Sequence, residues 1–283
     1  MIRLIASDLD GTLLNSLHTI DPTIARCIRA TTDSGRHFVI ATGRFMRDDM
    51  NFGFEGLPVE VVCSNGALVI GRDGQLLRKA LLDKSFVEEL LRNFPTLPFD
   101  FIGPRHIYTR LSAEQRVEKM RGPNLLMRVV MRGMAANLSG VCLTEQSEAQ
   151  ILNQDIVKVN CRVSDEGRKA DLESFIAEHA DLVVNAPFNP SMFEITAKGI
   201  DKGEAIAWLA SKLGISATDV AVYGDGGNDI AMLSRFAPYG HAFATHGACK
   251  AAKLAASSSI GSNVFHAVPR HIQSVLQHEG SLE

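Results

Sequence analysis

Two aspartates one residue apart, Asp8 and Asp10, follow an apolar run at residues 2–7, and two more, Asp225 and Asp229, follow a second run at residues 220–223. Loops just beyond strand ends are where open α/β sheets place their ligand-handling groups. Two further loops of this kind carry Thr42 and Asn65. Bringing Asp8, Asp10, Asp225 and Asp229 to one rim sets four like charges close together, which disfavours ionising them all at once. A cation must compensate. A hard divalent ion such as Mg²⁺ suits, because it takes carboxylate, water and phosphate oxygens. Lys202, at the start of a helical stretch, is a candidate second cation. The spacing of Asp8 and Asp10 on an extended segment points both carboxylates to the same side.

The elements that must position these residues alternate. The run at 2–7 is a predicted strand, followed by a helix over 22–34 with Asp21 as N-cap, a β-rich run at 37–41, and Thr42-Gly43-Arg44 opening a loop before a second helical segment. A strand at 59–64 ends at Asn65-Gly66, and 67–70 with 75–79 form a hairpin around Arg72-Asp73-Gly74. Late in the chain come a helix at 202–213, a strand at 220–223, a loop at 224–229 and a helix at 230–236. Such alternation predicts βαβ units, a parallel sheet and right-handed crossovers. Between the two blocks the texture changes: Pro95, Pro98, Pro104 and Pro123 cluster, residues 116–132 are basic, and a strand at 156–163, a helix at 165–179 and β segments at 181–186 and 191–196 follow. The expected fold is therefore α/β, a Rossmann-like doubly wound parallel sheet formed by residues 1–82 and 189–283. Residues 83–188 form an inserted α/β domain, with hinges at 82–84 and 187–191.

Composition narrows the function classes. The chain has 283 residues, 46% hydrophobic and 22% charged, which excludes collagen, a disordered tail and a coiled coil. With 29 basic against 32 acidic residues the net charge of −3 does not advertise a nucleic-acid partner. Five scattered cysteines without a CxxC pair read as reduced thiols rather than a zinc site. Asp8 comes too soon for the core of a signal peptide, and the run at 125–136 is broken by Arg128 and Arg132, short of the roughly 20 apolar residues of a membrane span. A cytoplasmic location and no membrane partner are expected.

Five segments together carry a resemblance: Asp8-Leu9-Asp10-Gly11-Thr12-Leu13-Leu14, Ala41-Thr42-Gly43-Arg44, Ser64-Asn65-Gly66-Ala67, Asp201-Lys202-Gly203 and Gly224-Asp225-Gly226-Gly227-Asn228-Asp229-Ile230-Ala231-Met232-Leu233. In order and spacing the chain resembles the haloacid dehalogenase superfamily, specifically its Cof-type phosphatases with a large α/β cap (subclass IIB), across residues 1–82 and 189–245. The resemblance implies an aspartyl-phosphate mechanism. Asp8 is then the nucleophile, and Asp10 the group that protonates the leaving alcohol and deprotonates the hydrolytic water. Asp8, the Asp10 carbonyl, Asp225 and Asp229 are the implied Mg²⁺ ligands, with Asp229 in the first or second rank. Thr42 and Lys202 meet the transferring phosphoryl group, and Gly11, Gly43, Arg44, Asn65 and Asn228 line the phosphate site. Where Cof-type chains carry Asn in an Ala-Met-x-Asn-Ala segment, this one reads Ala244-Thr245-His246-Gly247-Ala248. His246 reads as a loop residue, and Arg116, Arg121, Arg128 and Arg132 as a solvated face.

Other classes fit less well. A phosphorylated receiver domain needs adjacent acids after its first strand, and a dinucleotide-binding domain needs GxGxxG where this chain has Asp10-Gly11-Thr12. A sugar phosphomutase shares the phospho-aspartate chemistry, and core motifs do not separate it from a phosphatase. The expected activity is Mg²⁺-dependent hydrolysis of a small soluble phosphomonoester, a sugar phosphate or a phosphorylated cofactor such as pyridoxal phosphate. The inserted domain is expected to close over the core site and choose the leaving group. Oligomeric state is left open.

Overall fold

A computed structural model describes residues 1–15, 17–46, 54, 56–119, 140–188 and 192–282. Its contacts divide the chain into two units, Met1–Lys79 with Gly199–Glu283, and Ala80–Lys198. The described elements begin with β1 (Leu4–Ser7), α1 (Pro22–Asp33), β2 (His37–Ala41), β3 (Glu60–Cys63), β4 (Leu68–Ile70) and β5 (Leu76–Lys79). Next come α2 (Lys84–Asn93), β6 (Asp100–Ile102), β7 (Ile107–Tyr108), α3 (Ala113–Lys119), β8 (Cys142–Leu143), α4 (Glu148–Leu152), β9 (Lys158–Arg162), α5 (Glu166–Glu178), β10 (Val183–Asn185) and β11 (Met192–Ala197). The chain finishes with α6 (Lys202–Lys212), β12 (Val220–Gly224), α7 (Ile230–Phe236), β13 (Ala242–Ala244), α8 (Lys250–Ala255), β14 (Ser258–Ser259) and α9 (Ala267–Glu279).

In the first unit the sheet order is β14-β13-β12-β1-β2-β3-β4-β5. Pairing is parallel from β14 to β3, and the β3-β4-β5 end turns back antiparallel. Every residue of β1 and β12 is buried, the continuous apolar pattern of parallel strands covered on both faces. Helices α6 and α7 supply Ile206, Leu209, Met232, Leu233 and Phe236 to one core, against Leu4, Val39, Val62 and Val222 of the sheet. Strand β1 lies between β2 and β12, with Ser7 beside both Ile40 and Tyr223. That register puts the exits of three strands side by side, at the switch point where α/β sheets bind ligands.

The second unit has its own sheet, β10-β11-β9-β6-β7-β8, antiparallel except between β7 and β8. Alternation on β9 and β11 sends Val159, Cys161, Phe193 and Ile195 into a core with Phe86 and Leu90 of α2 and Leu172 and Phe175 of α5. The other face carries a buried ion pair, Lys158 Nζ to Glu194 Oε1 at 2.7 Å.

The partition corrects the domain boundaries expected from sequence. Residues 192–197 were assigned to the core, yet they pair with β9 and β10 in the second sheet. Leu82 is buried in the second core and its N–H donates to Ile156 O, while Lys198 N–H donates to Leu182 O. The crossings therefore fall at 79/80 and 198/199 instead of 82–84 and 187–191, of which 189–191 lie outside the described residues. The expected helix after Arg44 and the residues Arg121, Pro123, Arg128 and Arg132 also lie outside them. Arg116 is described, and it forms an ion pair with Asp100 at 2.9 Å instead of standing free in solvent. All five cysteines are free thiols. Among the described residues no helix is long and apolar enough to cross a membrane.

Candidate active site

Each acidic loop is shaped by its own local chemistry. The chain leaves β1 through Asp8, whose N–H donates to Tyr223 O at 2.9 Å and ties the exit to β12. Asp10 (φ −77°, ψ 120°) and Gly11 (φ 79°, ψ −7°) then form a type II turn, which demands positive φ at its third position. A Cβ on Gly11 would also collide with Asp225 Oδ2. The loop after β12 is organised by Asp229, whose Oδ2 accepts the N–H groups of Asp225 (2.9 Å) and Gly226 (2.8 Å). Helix α6 starts with Asp201 as N-cap, accepting Glu204 N–H, so Lys202 occupies its first turn. A Cβ on the next residue, Gly203, would lie 2.8 Å from Met232 Cα, so α6 and α7 pack backbone to backbone and hold Lys202 against the Asp229 loop.

The result is a buried charge cluster. Lys202 is fully buried, and its Nζ donates to Asp8 Oδ1 and to Asp229 Oδ1, both at 2.7 Å. A cation at a helix N-terminus runs against the dipole, and these two carboxylates offset that. Asp8, Asp225 and Asp229 offer oxygens that all lie within 4.8 Å of one another. Burial pushes the Asp8 carboxyl well up, repulsion from Asp229 and Asp225 adds to this, and the Lys202 ammonium only partly opposes it. Burial also pulls Lys202 down, but Asp229 and Asp8 outweigh that and hold it as an ammonium. Asp225 is pushed up to about 6, by burial first and by Asp229, against a hydrogen bond from Thr12 Oγ1 at 2.6 Å. Three carboxylates thus share one ammonium. The uncompensated charge and the all-oxygen donor set fit a hard divalent cation, with Asp8 and Asp225 the freer ligands because Asp229 commits both its oxygens to Lys202 and its own loop.

The second group of residues surrounds Asp10. Arg44 grips its carboxylate with both ends of the fork, Nε to Oδ2 at 2.6 Å and Nη2 to Oδ1. His18 Nδ1 reaches Oδ1 at 3.0 Å. Burial raises Asp10, but these partners outweigh it and hold the carboxyl below its ordinary value. Arg44, expected from sequence to line the phosphate site, is in this arrangement the partner of Asp10.

Thr42, Gly43, Asn65 and Asn228 form a third group. Thr42 is buried, and its Oγ1 accepts Arg44 N–H at 3.1 Å. Gly43 is required by space: its Cβ would stand 2.7 Å from Asn65 Oδ1. Asn228 Nδ2 donates to that same Oδ1 at 3.0 Å, while Asn228 Oδ1 and Ser64 Oγ are buried without a hydrogen-bond partner. Ser64, Asn65 and Gly66 follow one another in the left-handed region, at φ 51°, 58° and 97°. Such backbone is strained for residues other than glycine and collects at functional sites.

The acids, Lys202, Thr42, Asn65 and Asn228 therefore converge on one rim of the first unit. Sequence reasoning missed Thr12 and His18. Thr12 stood in the first of the five resembling segments without a role, and His18 carries no signal in type or spacing. His246 is exposed, with its N–H on Gly261 O.

Known proteins resemble the chain over most of its length. The chain is 27% identical to the Bacillus subtilis phosphatase YwpJ over 256 residues, covering 82% of this chain and 86% of that one. It is 24% identical to the 5-amino-6-(5-phospho-D-ribitylamino)uracil phosphatase YwtE of the same organism, covering 97% and 98%. A solved haloacid dehalogenase-like hydrolase from B. subtilis superimposes with a TM-score of 0.82 at 24% identity, over 97% of this chain and all of that one. The family pattern of the haloacid dehalogenase-like hydrolases matches residues 5–272, and the chain belongs to that family.

Proposed function

We propose that this hydrolase, a phosphatase by family and by its relatives, cleaves small phosphomonoesters through an aspartyl-phosphate on Asp8 with Mg²⁺ at the acidic cluster. The observation that carries it is the insertion of Lys202 Nζ between Asp8 and Asp229 at 2.7 Å, within a trio of carboxylates short of positive charge. Asp8 and Asp225, with the Asp10 carbonyl, would hold the ion, and Asp229 would act through Lys202. When bound, the ion supplies positive charge against the phosphoryl oxygens, the dominant need in phosphoryl transfer. Asp8 Oδ attacks phosphorus in line, the bond from phosphorus to the ester oxygen breaks, and Asp10, protonated beforehand against the pull of Arg44 and His18, gives that oxygen its proton. Asp10 then takes a proton from a water whose oxygen attacks the phosphoryl group, releasing phosphate and restoring the Asp8 carboxylate. Arg44 and His18 favour the carboxylate form of Asp10, the form this second half needs. Lys202 and Thr42 meet the phosphoryl oxygens, and Gly11, Gly43, Asn65 and Asn228 shape the space around them.

The substrate class is a sugar phosphate or a phosphorylated cofactor. YwtE is named for a phosphoribityl compound of that kind. Every residue assigned to phosphoryl chemistry lies in the first unit, and choice of the leaving alcohol is assigned to the inserted unit on the resemblance alone. The test is phosphate release from sugar phosphates, nucleotides, pyridoxal phosphate and p-nitrophenyl phosphate, with Mg²⁺ or EDTA. Release that needs the metal and disappears in Asp8→Asn is expected. Full activity in that variant would sink the nucleophile assignment.

A further inference from the structure

The loop after the catalytic strand holds an unusual residue. His18 has φ 54°, a left-handed conformation that costs energy in any side chain but glycine. The strain is maintained by Asn15: its Oδ1 accepts Leu17 N–H (2.9 Å) and Thr19 N–H (3.2 Å), its carbonyl accepts His18 N–H (3.0 Å), and its Nδ2 donates to Asp21 Oδ2 (3.1 Å). Asp21 caps α1, so the loop is anchored to a helix end. The imidazole this backbone presents is exposed over much of its surface, yet its Nδ1 sits on Asp10 Oδ1. Strained backbone held by dedicated hydrogen bonds and aimed at a reactive group points to function.

We propose that His18 is a positioning residue for Asp10 in the leaving-group step. The inference rests on the phosphatase role given to Asp10 above. A carboxylate oxygen has about two lone-pair sites. Among the described residues, Oδ1 receives Arg44 Nη2 and His18 Nδ1, whereas Oδ2 receives only Arg44 Nε. His18 thereby completes Oδ1 and leaves Oδ2 as the oxygen with room to exchange a proton with the substrate. Arg44 alone grips both oxygens and does not distinguish them. Without His18 the carboxyl loses its asymmetry, and the proton is delivered from the correct oxygen less often.

The consequence depends on the leaving group. A sugar alkoxide cannot depart without a proton, while p-nitrophenolate can. The experiment compares kcat/KM for a hexose phosphate and for p-nitrophenyl phosphate, in wild type, His18→Gly, His18→Asn and Asp10→Asn. Glycine accepts the positive φ and removes the donor. Asparagine also tolerates that backbone and returns an N–H donor at the δ position. His18→Gly is expected to lower the hexose-to-aryl ratio of kcat/KM about tenfold, part of the 10²–10⁴ range of general acid catalysis, with a larger drop in the same ratio for Asp10→Asn. His18→Asn should recover most of the loss. Equal losses on both esters, no loss on either, or failure of His18→Asn to recover the ratio overturns the inference while the phosphatase assignment stands. Wild type that releases phosphate from neither ester with Mg²⁺ present overturns the assignment and the inference together.

Discussion

Lys202 places its ammonium 2.7 Å from Asp8 Oδ1, joining residues 194 positions apart in the chain. The contact is buried on both sides, so neither charge has water to fall back on. Replacing Lys202 with Met leaves Asp8 and Asp229 facing each other unpaired. Lys202→Met is expected to cut kcat for phosphate release by about 10²–10³, the size of losing one preorganised donor to the reacting group. It should also lower unfolding stability by about 3 kcal/mol, the scale for breaking a buried pair. Steady-state assays at a temperature where circular dichroism shows a folded variant separate the two effects, and an unchanged kcat would remove Lys202 from the mechanism.

Thr12 acts one step behind the proposed metal ligands. Its hydroxyl donates to Asp225 Oδ1 at 2.6 Å and fixes the carboxylate. Valine keeps the shape and removes the donor. Thr12→Val should weaken Mg²⁺ binding about 10–100-fold, as losses of such outer partners do, read by calorimetric titration of the folded variant. Equal affinity in both proteins would mean that Asp225 is oriented by its backbone alone.

Two glycines in loops at the same rim make opposite demands. A Cβ on Gly66 would collide with the Asp201 carbonyl, and its φ of 97° suits no other residue. Gly247 has nothing within 4 Å of its would-be Cβ. Gly66→Ala is expected to destabilise by more than about 2 kcal/mol, since strain and overpacking act together and the obstacle is backbone. Gly247→Ala should stay within about 0.5 kcal/mol of wild type. Denaturant midpoints of the two variants check the contrast, and similar losses would contradict the packing described here.

The parts legible in sequence were those set by local chemistry. Asp21 does cap α1 through Thr23 and Ile24 N–H, and α6, β12 and α7 fall within a residue of their expected bounds, because apolar runs ended by Asp and Gly loops leave few alternatives. The second unit's edge was not legible. Phe193 and Ile195 look the same whichever sheet they join, and only the distant partner β9 decides. The same distinction runs through the site. Asp8, Asp225 and Asp229 are visible by type and position, whereas the pairing of Arg44 with Asp10 depends on where two loops meet. His18 reaches Asp10 only because Asn15 bends the chain into a conformation that no composition or spacing announces.

Away from the acidic cluster, Asp21 ties stability to pH. Asp21 Oδ1 accepts Thr23 N–H (2.9 Å) and Ile24 N–H (3.1 Å), and Oδ2 meets Asn15 Nδ2 (3.1 Å) and His266 Nε2 (2.6 Å). Burial raises its carboxyl, but these four partners outweigh burial and lower it to about 2. Unfolded, the group returns to about 3.9. A carboxyl depressed by folding contributes stability that is complete above the unfolded value and is lost as pH falls through the folded one. The window is therefore roughly pH 4 to 2. Asn at this position still caps the helix and does not titrate. Relative to Asp21→Asn, wild type should hold an advantage at pH 5 that shrinks by about 1 kcal/mol on descent to pH 2, a modest figure because solvent reaches the pair. Urea midpoints of both proteins across that range read the difference directly. A gap that stays constant from pH 5 to pH 2 would show that these four partners do not hold Asp21 ionised.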